Sequence, residues 1–140
     1  MNEADKQYIL DGKHIPDEYL RDWGYKLLGD LFTANPKTVN LKNKRFLEWA
    51  LSSSSLESDL SKTAKALRKD NISTAFYPED HEIHHSKREI HIQGRFLTHF
   101  GRSKKPVMSH KTFVLGWQVM PNGLIAIRDL KEILSHKKGT

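Results

Sequence analysis

The chain has 140 residues, contains no cysteine and carries a formal net charge of +6. This length suits one hydrophobic core, so we predict a single domain over residues 1–140 with flexible ends at 1–15 and 137–140. The absence of cysteine excludes disulfides, thiol nucleophiles and cysteine-based zinc sites. No apolar run approaches the roughly 20 residues that span a bilayer, and the acidic N-terminus is untypical of a secretory signal. These features predict a cytoplasmic protein without a membrane partner.

Helical periodicity marks three segments in the first half of the chain. Residues 16–32 place apolar side chains at helical spacing, and a shorter helix fits residues 41–51. A third helix begins at the capping-box pair Ser54 and Glu57 and ends near Asp70 and Asn71. Its apolar stripe consists of Leu56, Leu60, Ala64 and Leu67. The N-terminal part is therefore predicted to be a three-helix unit.

The periodicity changes to two in the second half. A strand is predicted from Ile90 to Phe100, with Gly94 marking a bulge or bend. A second strand is expected at 111–120, and Asn122-Gly123 predicts a tight turn into a third strand at 124–128. Asp129 can then cap a short final helix that buries Leu130, Ile133 and Leu134.

Helices followed by antiparallel strands predict an α+β fold. Its parts are three N-terminal helices, a three-stranded antiparallel sheet and a short C-terminal helix. This order is similar to a winged helix, in which residues 60–76 would form the helix-turn-helix and the loop 101–106 would be the wing.

Positive charge is concentrated in the second half of the chain. Residues 85–111 carry seven Lys or Arg against one Glu, whereas residues 1–30 carry four against seven Asp or Glu. Such a segment attracts polyanions, so the leading hypothesis is a small DNA- or RNA-binding accessory or regulatory protein of a mobile element. The predicted contacts to phosphate are Lys62, Lys65, Arg68, Lys69, Arg95, Arg102, Lys104, Lys105 and Lys111.

A zinc-dependent hydrolase is the first alternative. His81-Glu82-Ile83-His84-His85 matches the H-E-x-x-H pattern, in which two histidines on one helix face hold zinc and the glutamate deprotonates its water. His91 stands ten residues after His81, which is the spacing of the third ligand in metzincin-type proteases. The expected set is Glu82 as general base with His81, His85 and His91 as zinc ligands. In the leading hypothesis the protein needs no cofactor.

Two further functions remain open. His91, Arg95 and His99 alternate onto one strand face and could act as a metal-free nuclease. The other alternative is a protein-binding inhibitor or adaptor whose positive face docks on an acidic partner surface. An enzyme is the less favoured class, and the sequence leaves the oligomeric state open.

Overall fold

Three helices precede four antiparallel strands in the part of the chain that the structure describes. This computed structural model describes residues 15–52, 54–103 and 105–134. The helices are α1 (Asp17–Leu31), α2 (Val39–Leu47) and α3 (Ser54–Asp70). The strands are β1 (Ile72–His84), β2 (Glu89–Phe100), β3 (Val107–Val119) and β4 (Ile125–Ile133). They form one antiparallel sheet in the order β1-β2-β3-β4.

The helices form where apolar side chains recur on one face. In α1, Leu20, Trp23 and Leu28 are buried, and Asp17 and Glu18 in its first turn favour the positive end of the helix dipole. In α3 the predicted stripe of leucines and alanine is buried. Asn71 has a φ of 53° and ends this helix, as asparagine tolerates the left-handed conformation better than most residues.

The core lies between the helices and one face of the sheet. Phe32 of the turn after α1 stacks on Phe113 with ring centroids 4.3 Å apart, and Phe76 meets Phe113 edge to face at 5.1 Å. Other strand side chains that point toward the helices are also buried and complete the core. They are Ile90, Ile92, Phe96, Leu115, Trp117, Ile125 and Ile127.

Both edges of the sheet are partly covered by connecting segments. Ala34, just after α1, exchanges two backbone hydrogen bonds with Thr74 on β1. At the other edge, Ile127 on β4 donates to the Trp49 carbonyl at 2.8 Å and accepts from the Leu51 amide at 2.9 Å. These bonds satisfy edge groups that would otherwise be open to pairing with another chain.

The predicted fold is wrong in the number of strands and at the C-terminal end. Residues 72–76, expected to belong to the helix-turn-helix, begin β1 instead. The β-branched and aromatic residues Ile72, Thr74 and Phe76 favour this strand. Pro78 is compatible with β1 because this is an edge strand, where a missing N–H is tolerated. Because a strand follows α3, the described residues contain no helix-turn-helix, and the winged-helix comparison fails.

Residues 129–133 belong to β4 rather than to a terminal helix. The spacing of Leu130, Ile133 and Leu134 imitates a helical stripe, but Leu130 lies opposite Leu115 and packs against the core from the sheet. A register shift near Gly116 changes the alternation and hides the strand periodicity.

The predicted flexible ends lie outside the described residues, except for Ile15, which is buried in the core. Among the described helices, none has both the length and the apolar character that crossing a membrane requires.

Candidate functional site

Most of the predicted basic residues lie together at one end of the molecule. The Gly101 amide donates to the Asn71 carbonyl at 2.8 Å, which joins the β2–β3 loop to the C-terminus of α3. We call this region the basic end. Its cationic side chains are Lys62, Lys65, Arg68, Lys69, Arg102 and Lys105, all of them exposed. Lys104 lies outside the described residues.

The cations of the basic end are largely free of compensating charge. Lys62, Lys65 and Lys69 lie on one stripe of α3. These three lysines, and Arg102 and Lys105 of the β2–β3 loop, make no ion pair with another described residue. Arg68 differs, since its guanidinium donates to Asn40 Oδ1 at 2.8 Å. The exposed stripe and the loop therefore present positive charge to solvent.

Two of the predicted phosphate contacts, Arg95 and Lys111, each pair with an acidic side chain. Arg95 Nε lies 2.7 Å from Glu79 Oε2 on the face of the sheet away from the helices. Lys111 Nζ lies 3.7 Å from Glu132 Oε1 and 4.3 Å from the centroid of the Phe96 ring. Both charges are matched within the fold, so we exclude them from the basic end.

Exposed apolar side chains occupy the same end of the sheet. Phe100, Val107 and Met108 are 48%, 56% and 51% exposed. The register pairs Thr98 with Val107, so Phe100 and Val107 lie on one face where β2 and β3 project toward their loop. Met108, opposite Leu97, lies at the same end but on the other face. Large exposed apolar groups rimmed by charge are typical of protein-binding surfaces. The alternation that predicts a strand up to Phe100 does not reveal these exposed side chains, because strand parity does not tell where the helices stop covering the sheet.

A groove of about 360 Å³ opens beside this patch, between the helices and the sheet. Leu67, Ile72 and Phe100 line it, together with the Lys111–Glu132 pair. The groove extends the apolar surface of the basic end into the body of the molecule.

The predicted zinc-ligand set is not brought together. His81–His84 lies on β1 and His85 in the following turn, so the H-E-x-x-H pattern is not on a helix. The Tyr25 hydroxyl of α1 lies 3.2 Å from His81 Nδ1, and His85 Nε2 lies 2.6 Å from Asp17 Oδ1. His91, by contrast, shares a face with Glu82, its direct partner across the strands. The geometry that a zinc hydrolase requires is therefore absent from these residues.

Two members of the predicted set, Glu82 and His91, do cluster with a third side chain, His84, where β1 and β2 meet their connecting turn. Glu82, His84 and His91 each offer one potential ligand atom, and these atoms all lie within 4.8 Å of one another. A helical interpretation of the H-E-x-x-H motif selects positions 81 and 85 and leaves His84 out. A strand reading, in which residues two apart share a face, would have selected Glu82 and His84.

Comparison with solved structures shows which fold this is. A TraE protein in complex with 2-(2-furyl)isonicotinic acid superimposes with a TM-score of 0.68 at 8% identity, covering 88% of this chain and all of that one. An IcmL-like type IV secretion system protein from Legionella pneumophila subsp. pneumophila str. Philadelphia 1 gives a TM-score of 0.63 at 14% identity, covering 89% of this chain and 98% of that one. The periplasmic domain of DotI gives 0.61 at 12% identity, covering 89% and 100%.

The sequence itself shows the family. Residues 2–132 match the TraE protein family, and because this match spans nearly the whole chain, the chain belongs to that family. A search of curated protein sequences found no match.

The family corrects two predictions. A nucleic-acid-binding regulator and a zinc-dependent hydrolase are both wrong as functions, because the chain belongs to the TraE family and one of its fold relatives is an IcmL-like type IV secretion system protein. The predicted cytoplasmic location is also wrong, since one fold relative is the periplasmic domain of DotI and another is an IcmL-like type IV secretion system protein. A protein partner is compatible with the family, whereas DNA or RNA as partner is not supported.

Proposed function

We propose that this chain is a subunit of a type IV secretion apparatus and that it works by binding another protein of that assembly. Membership of the TraE family supports this proposal, as does the fold shared with an IcmL-like secretion protein and with the periplasmic domain of DotI. By analogy with the periplasmic domain of DotI, we propose that the chain acts in the periplasm.

The basic end is the docking surface in this proposal, and its partner is an acidic protein surface. The observation that carries this choice is the coincidence of uncompensated cations with exposed apolar side chains. Lys65 and Arg102 represent the charged rim, and Val107 represents the apolar centre. Burial of apolar area supplies affinity at such an interface, while complementary charge sets orientation and accelerates association.

Photo-crosslinking from inside the living assembly tests the docking surface. A photoreactive amino acid at Val107 should capture another secretion protein in cells that produce the complete apparatus, and mass spectrometry then identifies the captured surface. Leu124 offers a matched control, because it is 55% exposed and lies in the β3–β4 turn at the opposite end of β3. Capture from Val107 but not from Leu124 supports the proposal. Equal capture, no capture or capture of nucleic acid contradicts it.

Charge reversal tests the acidic nature of the partner. Lys65→Glu combined with Arg102→Glu should abolish the crosslink and reduce secretion, while changing the free energy of unfolding by less than about 1 kcal/mol because both side chains are exposed. The pair Lys87→Glu and Lys131→Glu makes the same change in net charge at exposed positions away from the basic end. If both double variants behave alike, net charge rather than the basic end governs binding.

A further inference from the structure

The outer face of the β1–β2 hairpin, away from the helices, gathers two histidines and a carboxylate. Glu82 on β1 lies directly opposite His91 on β2, and His84 follows Glu82 by two residues on the same face. His84 Nε2 lies 2.7 Å from Glu82 Oε1, and the rings of His84 and His91 have their centroids 4.4 Å apart. A direct cross-strand pair plus its neighbour two residues along is the tightest triangle of side chains that a sheet offers.

This donor set suits a late first-row divalent cation. Imidazole nitrogen and carboxylate oxygen are common zinc ligands, at about 2.0–2.2 Å from the metal, so tetrahedral ligands lie about 3.3–3.5 Å apart. The three candidate atoms lie within 4.8 Å of one another. Small rotations about side-chain bonds would close that difference, and Glu82 is free to make them because its side chain is 73% exposed.

The carboxylate of Glu89 contacts the imidazole of His91. Glu89 Oε1 lies 3.2 Å from His91 Nε2, and the side chain of Glu89 is only 17% exposed. Arg128 Nη2 lies 4.0 Å from the other oxygen of Glu89, so a positive charge stands beside this carboxylate. With Nε2 donating to Glu89, His91 carries its lone pair on Nδ1. This is the arrangement in which a carboxylate fixes the tautomer of a metal-binding histidine.

We propose that Glu82, His84 and His91 bind one zinc ion on the outer face of the β1–β2 hairpin, with water completing the coordination and Glu89 as a positioning residue. The ion would tie β1 to β2 and stabilise the hairpin. This site shares His91 and Glu82 with the H-E-x-x-H set, but Glu82 is here a ligand rather than a general base, and His84 replaces His81 and His85. His81 is engaged with Tyr25 on the helix-facing side. The proposal is independent of the docking function.

Calorimetric titration of the full chain with ZnCl₂ tests the site. The protein is prepared without an affinity tag, stripped with a chelator, and carries His14→Ala and His136→Ala so that terminal histidines do not contribute. One zinc ion should bind per chain and raise Tm, because a ligand that binds only the folded state stabilises it. His84→Ala and His91→Ala should each weaken binding more than tenfold, and Glu89→Gln roughly tenfold.

His110→Ala is the matched control. His110 lies on the same outer face, opposite Arg95 and outside the cluster, so zinc binding should be unchanged. Glu82→Gln serves as a ligand variant that keeps its fold, because the side chain is exposed and the amide has the same shape. If stripped protein binds no zinc, or if Glu82→Gln and His91→Ala bind as tightly as His110→Ala, the site does not exist.

Discussion

Gly94 on β2 lies directly opposite Pro78 on β1, at the point where a bulge shifts the register of β1. A Cβ on Gly94 would lie 2.1 Å from the Tyr77 carbonyl oxygen, a distance that no side-chain rotation can relieve because the obstacle is backbone. The two strands can approach this closely only because residue 94 has no side chain.

Gly94→Ala should therefore lower the free energy of unfolding by roughly 1–3 kcal/mol, since the strands must separate to admit the methyl group. Gly29→Ala is the control, because a Cβ on Gly29 in α1 would make ordinary van der Waals contacts with β1, 3.9 Å from the Phe76 carbonyl oxygen and from Pro78 Cδ. That variant should gain roughly 0.5–1 kcal/mol from helix propensity. Urea unfolding of both variants measures the difference. If Gly94→Ala leaves the free energy of unfolding unchanged, β1 and β2 do not approach each other this closely at Gly94.

Arg88 in the β1–β2 turn has a φ of 55°, a left-handed conformation that costs most side chains about 1–2 kcal/mol. Arg88→Gly should stabilise the protein by about 0.5–1 kcal/mol once the greater freedom of glycine in the unfolded chain is subtracted. Both backbone hydrogen bonds of Arg88, to His85 and Trp117, are retained. Asn71→Gly, at a φ of 53°, should gain less because asparagine tolerates this conformation. Thermal unfolding compares the two, and a lower Tm for Arg88→Gly would count against the turn geometry.

Tyr25 makes stability depend on alkaline pH. Burial raises its pKa above the ordinary 10.0, and the negative charge of Asp80 raises it further. The folded protein thus holds the phenolic proton more tightly than the unfolded chain. This contribution to stability is complete below pH 10 and is lost as pH rises through the folded-state pKa.

In Tyr25→Phe, the free energy of unfolding should therefore fall less steeply with pH above pH 10 than in the wild type. Burial also raises the pKa of Tyr19, so adding Tyr19→Phe should flatten the decline further. Denaturant unfolding at closely spaced pH values from 8 to 11.5 provides the measurement. An alkaline decline that is identical in wild type and the double variant would exclude both phenols as its cause.

The Ile127 amide should exchange slowly with solvent deuterium although β4 is an edge strand, because it donates to the Trp49 carbonyl at 2.8 Å. The Leu124 amide gives the comparison, since it bonds only to the Asn122 side chain in an exposed turn and should exchange faster. Hydrogen exchange followed by NMR separates the two amides. Equal rates would indicate that the 49–51 segment does not cover the edge.

The histidine motif shows where sequence reasoning stops. The spacing from His81 to His85 fits one face of a helix, yet residues 81–84 form a strand because they end β1, which pairs along its length with β2. Nothing within the five residues of the motif decides between these conformations. The partner strand lies downstream, and pairing with it is a long-range interaction that local periodicity does not contain.

Amino-acid order alone determined the features that depend on near neighbours. The helices follow from apolar stripes such as Leu60 and Ala64, and the turn at Asn122-Gly123 follows from a glycine, which adopts a positive φ at residue 123. The excess of lysine and arginine is likewise a property of composition. All of these act over a few residues, so they are visible in one stretch of chain.

Only the tertiary structure decided which distant groups meet. It placed the lysines of α3 beside the β2–β3 loop, matched Arg95 with Glu79, and brought His91 opposite Glu82. It also left Val107 uncovered beyond the helices, which strand parity could not reveal. The physical reason is that charge pairing, metal coordination and burial depend on distances across the fold, and those distances exist only after the strands have paired and the helices have packed.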